Sequence, residues 1–250
     1  RNERPRNWRM DIPNDNPWDD RTGFALNAKY TYSQFLGSRL FECAGIPVER
    51  TGLVGLRLNG VDNGLDGGNG VRSFGLVADL VPRGGDVIDD WFTEDNNGNG
   101  YDKIRGSVRW GTSTLPTIGT GGYAVGGYVA EGWAKQTNSS ANNWTDLDAW
   151  VKSLNNSTTG NLHTAKAYNI EYDEWVRWWA LCAIINHAET NPANGDDDDY
   201  SVYFGADGRC RLIPHDLDTC FHLQLIGLGD ENAAANPPIY PAPEASPATD

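Results

Sequence analysis

Residues 200–218 read YSVYFGADGRCRLIPHDLD, and this stretch decides most of the predicted fold. Two runs rich in β-branched and aromatic residues, at 200–204 and 209–213, flank an Ala-Asp-Gly turn, which is typical of a β-hairpin. The second run leads directly into Asp216-Leu217-Asp218. If this stretch continues as a strand, Asp216 and Asp218 point to the same side, where two carboxylates suit a hard cation such as Mg²⁺.

A run of four aspartates, 196–199, comes immediately before the hairpin. The hairpin therefore returns the chain toward these acids just as it reaches Asp216. An acidic loop, a hairpin and then Asp-x-Asp is the order in which kinase-type phosphotransferases present a catalytic acid, a second metal ligand and a metal-binding aspartate. The alternatives without a site are a solvated charge run for 196–199 and a solvated turn for Asp216 and Asp218.

Helical periodicity appears at three places outside the hairpin. The strongest pattern is 169–187, with acids in its first turn and Trp175, Trp178, Trp179, Cys182 and Ile185 on one face. A second helix begins at a capping-box pattern, Thr31 with Gln34, and ends before Gly45. A third covers 142–154, and two strands are predicted at 53–58 and 74–81. Separate helices and antiparallel strands predict an α+β fold.

The composition limits the function classes. The 250 residues carry 20 basic and 34 acidic side chains, a net charge of -14, which argues against a nucleic-acid or anionic-membrane surface. No apolar run approaches a membrane span, so we expect no membrane insertion. With 39% hydrophobic residues the chain supports a core, and we assign residues 1–230 to one domain and the Pro- and Ala-rich residues 231–250 to a linker or tail.

Two smaller patterns leave alternatives open. The four cysteines lack the paired spacing of a zinc site, and Cys210 and Cys220 could form a disulfide in an oxidising compartment. Asp95, Asn97 and Asn99 alternate before a glycine, as in the opening of a calcium-binding loop, but the twelfth position is Gly106 instead of glutamate. A plain Asn-Gly turn is the alternative to Ca²⁺ there.

Several short motifs occur in the order seen in the spore-coat CotH family of atypical protein kinases, and the chain resembles that family over residues 6–221. The motifs are RNWRMDI at 6–12, LN at 26–27, AGIP at 44–47, LNG at 58–60 with FGL at 74–76, IIN at 184–186, DYSVY at 199–203 and LIPHDLD at 212–218. The family's usual forms include A-G-x-P, N-Y-x-x-Y and I-P-W-D-x-D.

The resemblance implies a protein-kinase-like fold, with a small antiparallel sheet lobe and a mainly helical lobe that carries the catalytic hairpin. It implies binding of ATP and Mg²⁺, and phosphorylation of Ser or Thr on secreted or surface proteins, hence an extracellular or cell-surface location. Asp216 would then bind the metal, with Asp218 and Asp199 as further ligands. Arg6 and Arg9 would face the phosphates.

The chain departs from the family pattern at several positions. Arg6 stands for the family's lysine, Asp199 for the metal-binding asparagine and His215 for the tryptophan before the metal aspartate. The catalytic acid has no clean match, and Glu189 or an acid of 196–198, such as Asp198, is nearest. Asp79 is the best match for the acid on the second hairpin strand.

These departures, and the family elements that have no counterpart before Arg1 or after residue 221, keep a second hypothesis open. It is a catalytically inactive extracellular structural, adhesion or filament-forming module that assembles with itself. Such a module would bind through its surfaces, for example to further copies of itself, and would need neither a nucleotide nor a protein acceptor. A carbohydrate-binding domain that uses exposed tryptophans is a weaker third hypothesis.

Overall fold

The computed structural model describes residues 7–13, 15–18, 21–28, 30–62, 76–103, 128–129, 132–155, 170–185, 187 and 199–221. These residues form an α+β structure with two four-stranded antiparallel sheets, a two-stranded ribbon and four α-helices. The α+β class predicted from the sequence is therefore confirmed. No helix among the described residues is long and apolar enough to cross a membrane.

The first sheet contains β1 (Trp8–Asp11), β2 (Gly23–Asn27), β3 (Thr51–Gly55) and β6 (Leu76–Leu80), in the order β1-β2-β6-β3. Strand β6 is central, with Ala25 and Thr51 both opposite Leu80. The ribbon of β4 (Arg57–Leu58) and β5 (Val61–Asp62) extends the connection between β3 and β6. The predicted strands at 53–58 and 74–81 thus pair through residues 53–55 and 76–78, whereas residues 57–58 belong to the ribbon and 74–75 lie outside the described residues.

Helix α1 (Thr31–Cys43) connects β2 to β3. Its buried positions, Thr31, Gln34, Gly37, Ser38 and Phe41, recur at three- and four-residue spacing, which is why this segment is helical. The predicted capping box is wrong, because Thr31 is the first helical residue and its hydroxyl donates to the Asn27 carbonyl at 3.5 Å. Gly37 is required for packing, since a Cβ there would lie 3.0 Å from the Leu217 side chain.

The second sheet has the order β10-β9-β7-β8. Its strands are β7 (Asn99–Lys103), β8 (Trp133–Lys135), β9 (Tyr200–Phe204) and β10 (Cys210–Pro214). Every residue of β9 is buried, because β9 lies between β7 and β10 and packs against the helices. The hairpin predicted from residues 200–213 is confirmed, and its second strand continues to Pro214.

Three further helices complete the fold: α2 (Gly85–Trp91), α3 (Thr145–Asn155) and α4 (Tyr172–Ile184). Helices α3 and α4 were predicted. The core side of α4 carries Trp175, Trp178 and Cys182, whereas Trp179 is 42% exposed, so its predicted place on the buried face is wrong. Trp179 lies one helical turn beyond Trp175 and contacts only the rim of the aromatic core, ring to ring at 6.0 Å.

All four cysteines are free thiols. Cys182, Cys210 and Cys220 are buried, and Cys43 is exposed. The disulfide between Cys210 and Cys220 that the sequence left open is therefore not formed. Cys220 instead packs on α1, where its Sγ would lie 3.2 Å from a Cβ at Gly37.

Candidate functional site

Asp199 and Asp216 flank the open end of the β9–β10 hairpin. The last paired residues are Tyr200 and Pro214, and the next residue of the second strand, His215, donates its backbone N–H to the Asp199 carbonyl at 3.0 Å. Asp199 and Asp216 both have left-handed backbone conformations, with φ of 62° and 50°. Aspartate tolerates this region better than most residues do. The hairpin thus brings together two of the three predicted metal ligands.

Asp218 is placed differently from the prediction. The strand ends at Pro214, and residues Leu217–Thr219 form a 3₁₀ turn, so Asp216 and Asp218 do not share one side of a strand. The Asp216 side chain is 36% exposed, whereas Asp218 is buried in the turn. The left-handed conformation at Asp216 ends the extended geometry that the prediction required.

The cation beside Asp216 is Arg83, which follows β6 in the turn before α2. Its Nε donates to Glu49 Oε1 at 3.0 Å, and its terminal nitrogen lies 3.8 Å from Asp216 Oδ2. Burial tends to lower the pKa of Arg83, but the carboxylates of Glu49, Asp216, Asp199 and Asp102 raise it above its usual value. Arg83 therefore lies between Glu49 and Asp216, within the electrostatic influence of Asp199 and Asp102.

Glu49 is held rigidly beneath Arg83. Its carbonyl accepts hydrogen bonds from the hydroxyls of Ser38 on α1 at 2.7 Å and Thr51 on β3 at 3.0 Å. Its side chain is buried, and burial raises the pKa of the carboxyl to about 7 against the opposing effect of Arg83. Oε2 has no hydrogen-bond partner among the described residues.

The second sheet contributes Asp102 and Ser201, which are directly opposite each other on β7 and β9. The Ser201 hydroxyl donates to Asp102 Oδ1 at 2.5 Å. Burial raises the pKa of Asp102, while Ser201 and Arg83 lower it. With Glu49, Arg83 and His215, this pair lines a cavity of about 10 Å³, roughly the space that one water molecule needs.

Two buried histidines adjoin the cluster without adding charge to it. Burial and the neighbouring Arg83 lower the pKa of His215 well below its usual value, and its Nδ1 lies 3.7 Å from Asp199 Oδ1. Burial lowers the pKa of His187 to about 4, although the backbone of Asp216 opposes this shift. Both rings are neutral at pH 7, so neither histidine adds a positive charge beside Arg83.

The other predicted cofactor residues lie elsewhere or are not described. Arg9 is on the exposed edge strand β1, where its Nε lies 3.2 Å from Asp11 Oδ1. Asp79 binds both terminal nitrogens of Arg21, at 2.7 and 3.0 Å, and so ties β6 to the residues before β2. Arg6, Glu189 and Asp198 lie outside the described residues.

The oxygens predicted to bind calcium accept hydrogen bonds from the protein. The Asp95 carboxylate accepts the Ala206 N–H at 2.9 and 3.1 Å, which fastens the turn of the β9–β10 hairpin. Asn138 Nδ2 donates to the Asn97 carbonyl at 2.9 Å and to Asn99 Oδ1 at 3.3 Å. These contacts are those of a turn and its anchor, the alternative to Ca²⁺ that the sequence left open, and calcium binding stays a prediction.

Sequence reasoning missed Glu49, Arg83 and Asp102. The only sequence signal for Arg83 and Glu49 is their place in loops, since Arg83 follows β6 and Glu49 precedes β3. Loop residues next to strands often form sites. Their meeting depends on how the two sheets pack, which no local pattern encodes.

No protein-family model matches the chain, and no curated protein matches it. Among the described residues, no group of three or more His, Cys, Asp or Glu side chains is arranged to hold a metal ion. The candidate site consists of the carboxylates of Asp199 and Asp216 at the end of the hairpin, together with Arg83, which is hydrogen-bonded to the buried Glu49.

Proposed function

We propose that the chain is a CotH-like, ATP- and Mg²⁺-dependent phosphotransferase that acts on Ser or Thr of secreted or cell-surface proteins. The order of elements supports this. A small antiparallel sheet with a helix between its second and third strands comes first, and the helical part and the hairpin that delivers Asp216 follow. A protein kinase-like division into two lobes has this order.

The observation that carries the proposal is the placement of Asp216 and Asp199 at one end of the hairpin with Arg83 within 3.8 Å of Asp216. Mg²⁺ in phosphoryl-transfer sites is commonly bound by one or two carboxylates together with substrate phosphates, and it keeps several waters. Two aspartates therefore suffice when a nucleotide supplies the remaining oxygens. Two carboxylates are ligands that suit this ion, and the proposal does not use the buried Asp218.

Arg83 takes the role that the sequence assigned to Arg9. It is the described cation nearest Asp216, and its planar fork suits phosphate oxygens. Its Nε is bound to Glu49, its terminal nitrogen faces Asp216, and the neutral His215 adds no second charge. The work of these residues is positioning and charge neutralisation, the main contributions that proteins make to phosphoryl transfer.

The base that orients the acceptor hydroxyl stays a prediction. Glu189 and Asp198 precede the hairpin in the sequence, as the catalytic acid of a kinase does. ATP and Mg²⁺ are the cofactors of this proposal, and a protein hydroxyl is the acceptor.

Isothermal titration of ATP, with and without Mg²⁺, tests the proposal on the chain and on Asp216→Asn. We expect Mg²⁺-dependent binding with a dissociation constant between micromolar and millimolar, lost in the variant. Asp11→Asn is the matched control, because Asp11 is an exposed aspartate in an ion pair on β1. Binding that is absent in the folded wild-type chain, or equal in wild type and Asp216→Asn, would sink the proposal.

A second candidate is the inactive structural or adhesion module. Arg83 already compensates the acids around Asp216, as a protein cation does in a site that has lost its metal. The edge strand β1 also exposes Trp8 and Met10 on alternate positions, which suits pairing with another chain. This candidate predicts that the folded chain does not bind ATP and self-associates in sedimentation experiments as its concentration rises. Trp8→Lys should abolish this self-association.

A further inference from the structure

Arg83 is divided between two acids that differ in their access to solvent. Glu49 is 3% exposed and Asp216 is 36% exposed, while Arg83 itself is 38% exposed. An ion from solution can therefore approach Asp216 and Arg83 but not Glu49. The carboxyl groups of Asp199 and Asp102 also favour a positive charge at the position of Arg83.

Glu49 has a second carboxylate oxygen, Oε2, to which Arg83 does not donate a hydrogen bond. Only Oε1 accepts a hydrogen bond from Arg83, while Oε2 is buried without a partner among the described residues. A carboxylate and a guanidinium form two parallel hydrogen bonds when their geometry allows it. A cavity of about 10 Å³ lies beside Glu49 and Arg83, so the space next to the pair is not completely filled.

These observations point to an internal competitor for the metal. We infer that Arg83 is the built-in counter-cation of Asp216, and that a divalent ion binds Asp216 only when Arg83 turns away onto both oxygens of Glu49. Glu49 is then a positioning residue, because it acts on the site through Arg83.

The inference rests on the proposed cation role of Asp216 but not on nucleotide binding. It is therefore tested with Mn²⁺ alone, by titration calorimetry or by the electron paramagnetic resonance signal of the free ion. Wild type should bind Mn²⁺ weakly. Arg83→Met, which keeps much of the side-chain bulk and removes the charge, should bind Mn²⁺ about tenfold more tightly.

Glu49→Gln should have the opposite effect. Without a carboxylate to receive it, Arg83 stays on Asp216, and Mn²⁺ affinity should fall severalfold below that of wild type. A variant that merely loosens the fold would not move the two affinities in opposite directions. If Arg83→Met does not fold, Arg83→Lys replaces it and should give a smaller gain, because a point charge on a shorter stem still repels the ion.

Two further variants make the result specific. Adding Asp216→Asn to Arg83→Met should abolish the gain. Arg209→Met should leave Mn²⁺ affinity unchanged, because Arg209 lies at the other end of the hairpin, where it donates a hydrogen bond of 2.8 Å to the Glu171 carboxylate. Unchanged or weaker Mn²⁺ binding in both Arg83 variants, or a gain that survives Asp216→Asn, would overturn the inference. Failure of ATP to bind while Mn²⁺ shows this pattern would reject the phosphotransferase proposal alone.

Discussion

Arg83 and Glu49 form a hydrogen-bonded ion pair of 3.0 Å between a turn that follows β6 and a loop that precedes β3, and the same guanidinium reaches toward Asp216 on the hairpin. The pair joins the first sheet to the end of the second. Breaking one partner of a buried ion pair leaves an uncompensated charge, so both residues affect stability as well as the site. The pair therefore has to be tested in conditions that separate charge from packing.

The stability of Glu49→Gln relative to wild type should increase as the pH rises. Burial raises the pKa of Glu49 from 4.5 to about 7, so between these values the folded state holds a proton that the unfolded chain has released. The stability linked to that proton is complete below the unfolded pKa and is lost as the pH rises through the folded pKa.

Gln does not titrate, so the variant escapes this loss. We expect the free energy of unfolding of Glu49→Gln, relative to wild type, to increase by on the order of 2–3 kcal/mol from about pH 5 to about pH 8 in urea titrations. Glu94→Gln, at an exposed loop position, controls for the loss of a surface carboxylate. A relative stability that stays constant or decreases over this range contradicts the assignment.

Gly98→Ala should destabilise the fold by about 1–3 kcal/mol. A Cβ at Gly98 would lie 2.0 Å from the Phe204 carbonyl and 2.6 Å from the Tyr203 hydroxyl, so backbone atoms of the hairpin would have to move. Gly85→Ala is the control, because nothing lies within 4 Å of its added Cβ and it is helical. Urea unfolding should find Gly85→Ala neutral or slightly more stable. Equal losses in both variants would mean that the hairpin is not anchored at residue 98.

Asp79→Asn should lower stability by about 1–2 kcal/mol and leave any affinity for ATP with Mg²⁺ unchanged within about twofold. Asp79 accepts two hydrogen bonds from Arg21, whose guanidinium also lies 4.0 Å from the centre of the Phe24 ring. A double-mutant cycle with Arg21→Met measures the coupling of the pair. Loss of nucleotide affinity in a folded Asp79→Asn variant would restore the cofactor role that the sequence suggested.

Thiol titration should find one reactive cysteine in the native chain and four in denaturant. Cys43 is exposed at the end of α1, and the other three thiols are buried. Burial also raises the pKa of Cys182 and Cys210, which suppresses the reactive thiolate. Fewer than four thiols in denaturant would show that a disulfide forms after all.

The sequence predicted best where a local pattern suffices. Helix α1 and strand β9 carry strong periodic or β-branched signals, and the observed bounds, Thr31–Cys43 and Tyr200–Phe204, agree with the expectation. The Ala-Asp-Gly turn predicts a hairpin, and a hairpin brings the residues before its first strand close to those after its second. The sequence therefore predicts that the acids of 196–199 and Asp216 lie at the same end. Helix α2 was missed because Gly84-Gly85 and three aspartates weaken its helical signal.

The candidate site was harder to predict because its members come from distant segments. Arg83 and Glu49 are 34 positions apart and meet only through the packing of β3, β6 and α1. The motif at 6–12 predicts that Arg9 faces the phosphates, but Arg9 lies on an edge strand and is exposed to solvent. The predicted strand geometry of Asp216 and Asp218 is not observed, because the left-handed conformation of Asp216 ends the extended stretch.

A double-mutant cycle of Asp199 and Asp216 on ATP affinity in the presence of Mg²⁺ tests the central claim most directly. If both carboxylates hold one ion beside the nucleotide, Asp199→Asn and Asp216→Asn should each lower affinity by about tenfold or more, and the double variant should lose little beyond the larger single loss. Losses that add fully, or single variants that bind as wild type does, would contradict a shared metal at the end of the hairpin.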